Sequence, residues 1–181
     1  MNEKNIIWES AAKAGLVLGG VSIVYLLCTM FSGKLVEHAG TGLSVIISLV
    51  KFLLWIAKFA GCILLMRLFM QRFSQADPSA DNARVFRFGA LTALLSALIY
   101  SAFYLAYVSF IAPDTFDKAL EMVQDNPMLS AYPMDGIEEM IPRMPTISFF
   151  ANLIYCWLFG TILSAILSRN IPSRNPFTDE Q

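Results

Sequence analysis

Long apolar segments separated by short charged segments dominate the sequence. Uncharged stretches of 20, 26 and 25 residues cover residues 14–33, 88–113 and 144–168. A hydrocarbon core of about 30 Å is crossed by roughly 20 helical residues, and backbone amides inside it must be paired within the protein. Because the segments lack the apolar–polar alternation of barrel strands, they predict three membrane-spanning α-helices.

A fourth apolar segment, residues 43–66, contains the two cations Lys51 and Lys58. These lysines are seven residues apart and hence lie on one helical face, with Trp55 between them. Without a crossing here, the flanking segments would not return across the bilayer with loops of suitable charge. The sequence therefore predicts an all-α integral membrane four-helix bundle in a single domain, with spans at about residues 12–32, 43–68, 86–112 and 146–168.

Basic residues are unevenly divided between the two sides of the predicted bundle. Eight Lys and Arg residues lie in or beside the amino terminus, the loop 69–85 and the tail 169–181, whereas three lie on the other side. Because Lys and Arg in short flanking segments favour the cytoplasm, both termini and the loop 69–85 are predicted to be cytoplasmic.

The remaining long loop, residues 113–145, is then on the outer side. It holds seven acidic residues against two basic ones. Asp114 can cap a short helix in which Phe116 and Leu120 share one face, and Pro127 would end that helix. We therefore expect an acidic, partly helical outer loop between spans three and four.

Composition agrees with a membrane protein and argues against several functions. Apolar residues make up 56% and charged residues 15%, with a mean hydropathy of +0.58, against about 45–50% and 25% in soluble proteins. No dense basic cluster suggests nucleic-acid binding. The sequence has no Gly-rich phosphate loop, no His-Glu metal pair and no nucleophile motif. We therefore predict no enzymatic activity, no cofactor and no metal site.

Charged and polar residues at membrane depth are the strongest candidates for a functional site. An intramembrane lysine costs about 2.5–3.5 kcal/mol on insertion scales, and no acidic residue in another predicted span would offset that cost. A polar cluster in the outer half of the bundle could bind a lipid head group or an anionic ligand. Alternatively, the tyrosines form an interfacial belt and the lysines extend towards water. The candidate residues are Lys51, Lys58, Tyr25, Tyr104, Tyr107, Asn152 and Tyr155.

Small residues mark one face of the first span. Gly15 and Gly19 are four residues apart, which allows another helix to approach closely. Packing within the bundle is the favoured interpretation, and a contact between two copies of the chain is the alternative.

Several sequence features together are similar to those of one family. They are Trp8 and Gly15 around the start of span one, the basic segment 67–72 (RLFMQR), the segment 86–90 (FRFGA), Tyr100 to Tyr107, and the tail segment 175–177 (NPF). In these features the chain resembles the domain of unknown function 4199 family, four-span inner-membrane proteins of Bacteroidota. The resemblance implies the fold, the topology and a bacterial inner membrane, and it brings no activity.

Two functions remain open. The leading hypothesis is a non-enzymatic accessory or scaffold subunit that acts among membrane lipids beside another membrane protein or a second copy of itself. The alternative is a small transporter or a lipid- or anion-binding protein that uses the intramembrane Lys/Tyr/Asn cluster. Lysines that face a cavity would favour the alternative, whereas lysines at the bundle surface would favour the scaffold.

Overall fold

The computed structural model describes residues 3–36, 41–77, 80–124 and 140–171. These residues form four long helices and one short helix: α1 (Glu3–Val36), α2 (Thr41–Ala76), α3 (Asn82–Ala106), α4 (Thr115–Gln124) and α5 (Met144–Arg169). Four helical segments are long and apolar enough to cross a membrane, namely Ile6–Gly33, Gly42–Ala76, Asn82–Ile111 and Ile141–Arg169. Each overlaps one predicted span, and the all-α, four-span architecture is confirmed.

Local sequence explains where α3 begins and how it ends. The Asp81 carboxylate accepts a hydrogen bond of 2.7 Å from the backbone N–H of Arg84, which satisfies one of the free amides at the start of the helix. At its other end α3 runs into one π-helical turn, Tyr107–Ile111. The N–H of Ala112 closes this turn by donating to the carbonyl of Tyr107 at 3.0 Å.

The short helix predicted in the long loop is present as α4. The Thr115 hydroxyl donates to the carbonyl of Ala112 at 2.6 Å, just before the helix begins. Residues 125–139, which include the predicted helix end at Pro127, lie outside the described residues. The chain resumes with a 3₁₀ turn, Ile141–Arg143, which leads directly into α5.

Helix α3 is at the centre of the bundle and packs most extensively against α5 and α1, whereas α2 packs chiefly against α1. Gly15 and Gly19 explain the close approach of α1 to α3. A Cβ atom at Gly15 would lie 2.8 Å from Leu95 Cβ, and one at Gly19 would lie 3.0 Å from Ile99 Cγ2. These two glycines therefore pack inside the bundle, against its central helix.

The interface between α3 and α5 also depends on small residues. A Cβ atom at Gly160 would lie 2.5 Å from Ala93 Cβ, and one at Gly89 would overlap the Ser164 side chain. Ser164 is fully buried, and its hydroxyl donates to the carbonyl of Phe86 at 3.0 Å. These contacts hold the two helices at a distance that larger side chains would not permit.

Buried apolar side chains are concentrated at one end of the bundle. Phe73 of α2 and Phe88 of α3 stack there, with ring centroids 4.4 Å apart and planes inclined by 2°. The same cluster includes Ala11 of α1 and Leu167 of α5, so it joins all four long helices. We call this end the basic end, because the described residues near it include Lys13, Arg67, Arg72, Arg84, Arg87 and Arg169.

Towards the opposite end, α2 packs less closely against the bundle. Within the described part of the chain, no side chain from Gly42 to Leu65 is buried, whereas Met66, Met70 and Phe73 are buried. The first half of α2 therefore lies beside the other helices without closing against them. This arrangement leaves space in the middle of the bundle.

Candidate functional site

One face of α2 is turned towards the bundle along its first half. Ile47, Lys51, Leu54 and Lys58 are half-buried, while the residues between them are exposed. The spacing of three and four residues places these side chains on one stripe of the helix. Both lysines therefore lie on the side of α2 that faces α1, α3 and α5.

Lys58 is enclosed by aromatic rings from two other helices. Its Nζ lies 5.0 Å from the ring centroid of Tyr25 on α1 and 5.6 Å from that of Tyr100 on α3. A cation at this distance over a ring face is attracted by the ring quadrupole, by about 0.5–2 kcal/mol depending on how far it is desolvated. The two contacts therefore offset part of the cost of placing an ammonium group in the middle of a span.

The ring contacts leave the hydrogen-bonding capacity of Lys58 unused. An ammonium group has three N–H donors, and neither ring face is a conventional acceptor. Among the described residues, no carboxylate or other acceptor pairs with Lys58, and the described ion pairs lie elsewhere, at Lys13–Glu9 and Arg84–Asp77. The site is therefore a positive charge with free donors inside an apolar bundle.

Lys58 borders a cavity of about 210 Å³ in the middle of the bundle. All four spanning helices contribute to its walls. Most of the lining is apolar, which is typical of ligand sites that carry a few well-placed polar groups. The polar side chains and thiols of the lining are Ser22 of α1, Lys58 and Cys62 of α2, Ser96 of α3, and Tyr155 and Cys156 of α5.

A row of stacked aromatic side chains runs along the α2–α5 side of this cavity. Trp55 stacks on Phe59 with centroids 5.8 Å apart, and Phe59 contacts Phe159 of α5 at 5.3 Å. All three rings line the cavity, yet each side chain also remains 40–50% exposed on the outside of the bundle. They therefore separate the cavity from the surface that would face lipid.

The structure brings together only part of the cluster predicted from the sequence. Tyr25 and Lys58 are in contact, and Tyr155, although 70% exposed, borders the same cavity. The other four candidates are half-buried but do not line the cavity; they are Lys51, Tyr104, Tyr107 and Asn152. The centre of the site is thus Lys58 rather than Lys51.

Several other residues of the site do not belong to the candidate cluster predicted from the sequence. Tyr100 shares a helical face with Tyr104, so its spacing was a usable signal. Ser22, Ser96, Cys62 and Cys156 gave none, because small polar residues and thiols in a span are usually packing residues. Within the described ranges, no group of three or more His, Cys, Asp or Glu side chains is placed to hold a metal ion.

Comparison with known proteins gives a family but no activity. A family model described as "Protein of unknown function (DUF4199)" matches residues 13–169, which span all four long helices. Neither the curated proteins nor the solved structures provide a match.

Proposed function

The chain belongs to the DUF4199 family of proteins of unknown function, and from its geometry we propose that it is a non-enzymatic membrane protein. Its ligand would be the anionic head group of a membrane-soluble molecule. The binding site is the cavity beside Lys58. The observation that supports this function is the Lys58 ammonium group, which faces two aromatic rings at 5.0 and 5.6 Å and borders the cavity with its donors free.

The charge of the ligand follows from the electrostatics of the cavity. In a low-dielectric environment an opposite charge a few ångströms away interacts far more strongly than it would in water. A carboxylate or phosphate oxygen would accept the N–H groups that the rings of Tyr25 and Tyr100 leave unused. The hydroxyls of Ser22 and Ser96 also belong to the lining and could donate further hydrogen bonds to such an anion.

The size of the cavity indicates that only a head group enters it. A volume of about 210 Å³ is below the roughly 300–1,000 Å³ of sites that enclose a drug-sized ligand. The tail of an amphipathic ligand would instead lie along Trp55, Phe59 and Phe159, which are apolar and partly exposed. A fatty acid or a phospholipid satisfies both requirements.

Native mass spectrometry of the protein extracted gently from its membrane tests this function. We compare the natural protein with Lys58→Leu and with Lys51→Leu, a matched control on the same helical face that does not line the cavity. The natural protein and Lys51→Leu are expected to retain an anionic amphiphile that Lys58→Leu loses. An equal lipid complement in all three proteins would refute the proposed binding site.

The accessory-subunit hypothesis remains a second candidate function. It is favoured by the aromatic row that continues from Trp55 to Phe52, with centroids 6.2 Å apart, on a part of α2 that the bundle does not cover. A partner helix could pack against these rings. If one membrane protein co-purifies with the natural chain, and the double substitution Phe52→Ala, Trp55→Ala abolishes that co-purification, this role would be supported. The setting we propose for it is a bacterial inner membrane.

A further inference from the structure

A second cavity, separate from the one beside Lys58, opens at the basic end of the bundle. It has a volume of about 620 Å³ and lies between the start of α1, the end of α2 and the start of α3. No residue lines both cavities. We call it the basic groove, because three cationic side chains line it: Lys13, Arg72 and Arg84.

The charges of the basic groove are only partly balanced. Arg84 Nε lies 3.0 Å from the carboxylate of Asp77, and both side chains are largely shielded from solvent. Lys13 is paired with Glu9 at 2.7 Å, but these side chains are 76% and 61% exposed, so that this pair contributes little and is readily rearranged. Arg72 is exposed and has no ion-pair partner among the described residues. The groove therefore presents a surplus positive charge to any anion that enters.

The walls of the groove are apolar next to these charges. The stacked rings of Phe73 and Phe88 form part of its lining, together with Phe69 and Ile6. Ile6 is 40% exposed, and it marks the beginning of the apolar segment Ile6–Gly33. Cationic and apolar surfaces thus meet where a membrane-spanning helix begins, which is the depth at which lipid head groups lie.

We propose that the basic groove binds an anionic phospholipid, with its phosphate between Arg72 and Lys13 and its first acyl carbons against Ile6 and Phe69. Arginine suits this role because its planar guanidinium can donate two parallel hydrogen bonds to phosphate oxygens. A free phosphate ion shares the charge but would leave the apolar wall unused. The inference does not depend on which side of the membrane the basic end faces, nor on the proposed function of the Lys58 cavity.

Binding of phosphatidylglycerol, compared with zwitterionic phosphatidylcholine, tests the inference. The full-length protein is placed in neutral detergent, and each lipid is titrated and followed by native mass spectrometry. Arg72→Gln and Lys13→Gln are compared with Arg67→Gln, which removes the same charge from an exposed position of α2 outside the groove. We expect about tenfold weaker phosphatidylglycerol binding for Arg72→Gln, a smaller loss for Lys13→Gln and no change for Arg67→Gln.

Inorganic phosphate serves as the probe for the competing source of the same chemistry. If it displaces phosphatidylglycerol, and if its own binding is weakened by Arg72→Gln, the groove is a site for soluble phosphate and the lipid assignment is overturned. Equal binding of both lipids, or equal loss in Arg72→Gln and Arg67→Gln, also overturns it. Because Arg72 is exposed, an unchanged thermal unfolding temperature is expected and shows that the fold is intact.

Discussion

At the scale of single residues, Lys58 shows how a bundle accommodates a charge that insertion alone disfavours. Its cost of about 2.5–3.5 kcal/mol in a span is reduced by two ring faces rather than by a carboxylate. An Asp or Glu partner would have neutralised the charge and closed the site. Aromatic rings lower the energy of the ammonium group and leave its field available to a ligand.

This account predicts that the Tyr100 ring matters more than its hydroxyl. Tyr100→Phe retains the ring face and is expected to unfold at the same temperature as the natural protein. Tyr100→Leu removes that face and is expected to lose about 0.5–2 kcal/mol of stability. The loss should disappear when Tyr100→Leu is made in a Lys58→Leu background, because the cation is then absent. A loss that persists in the double variant would show that Tyr100 acts through packing alone.

At the same scale, the sequence grouped lysines and tyrosines as candidates but did not indicate which lysine lies against the Tyr25 ring. The spacing of seven residues correctly indicated that Lys51 and Lys58 share one face. Which lysine meets Tyr25 depends on how far α2 is shifted along its axis relative to α1, and that shift is a property of the packed bundle. The cavity lies beside the part of α2 that precedes Met66, where no described side chain of α2 is buried. No local pattern in the α2 sequence encodes this looser packing.

At the scale of helices, close approach through glycine organises the bundle. The pair Gly15 and Gly19 was visible in the sequence because both residues belong to one helix. The α3–α5 interface was not visible, because Gly160 meets Ala93 and Gly89 meets Ser164 across two helices. A single glycine in a span is common, so only the partner on the other helix reveals its role.

Alanine substitutions at one glycine inside this interface and at one glycine outside it test whether close approach stabilises the bundle. Gly160→Ala would place its Cβ 2.5 Å from Ala93 Cβ, and we expect a loss of about 1–3 kcal/mol from overpacking. Gly61→Ala is the matched control within α2, because no atom lies within 4 Å of the new Cβ apart from its chain neighbours and the backbone of its own helix. This variant should be neutral, or more stable by up to about 1 kcal/mol, because alanine favours helix. Thermal unfolding in detergent measures both, and similar values would contradict the interface.

At the scale of the whole molecule, charge divides the bundle into two ends. The described Lys and Arg residues outside the middle of the spans are concentrated at the basic end, whereas α4, with Asp117 and Glu121, follows the opposite end of α3. Positively charged flanks resist translocation. We therefore predict that the basic end faces the cytoplasm and α4 faces outwards, as the sequence alone suggested.

Labelling of single cysteines tests this orientation. In a variant in which Cys28, Cys62 and Cys156 are replaced by alanine, Ala119→Cys is introduced in α4 and Ala76→Cys at the end of α2, where both side chains are exposed. A membrane-impermeant thiol reagent added to intact spheroplasts is expected to label position 119 and to label position 76 only after lysis. The reverse pattern would place the basic end on the outer side of the membrane and would contradict the predicted orientation.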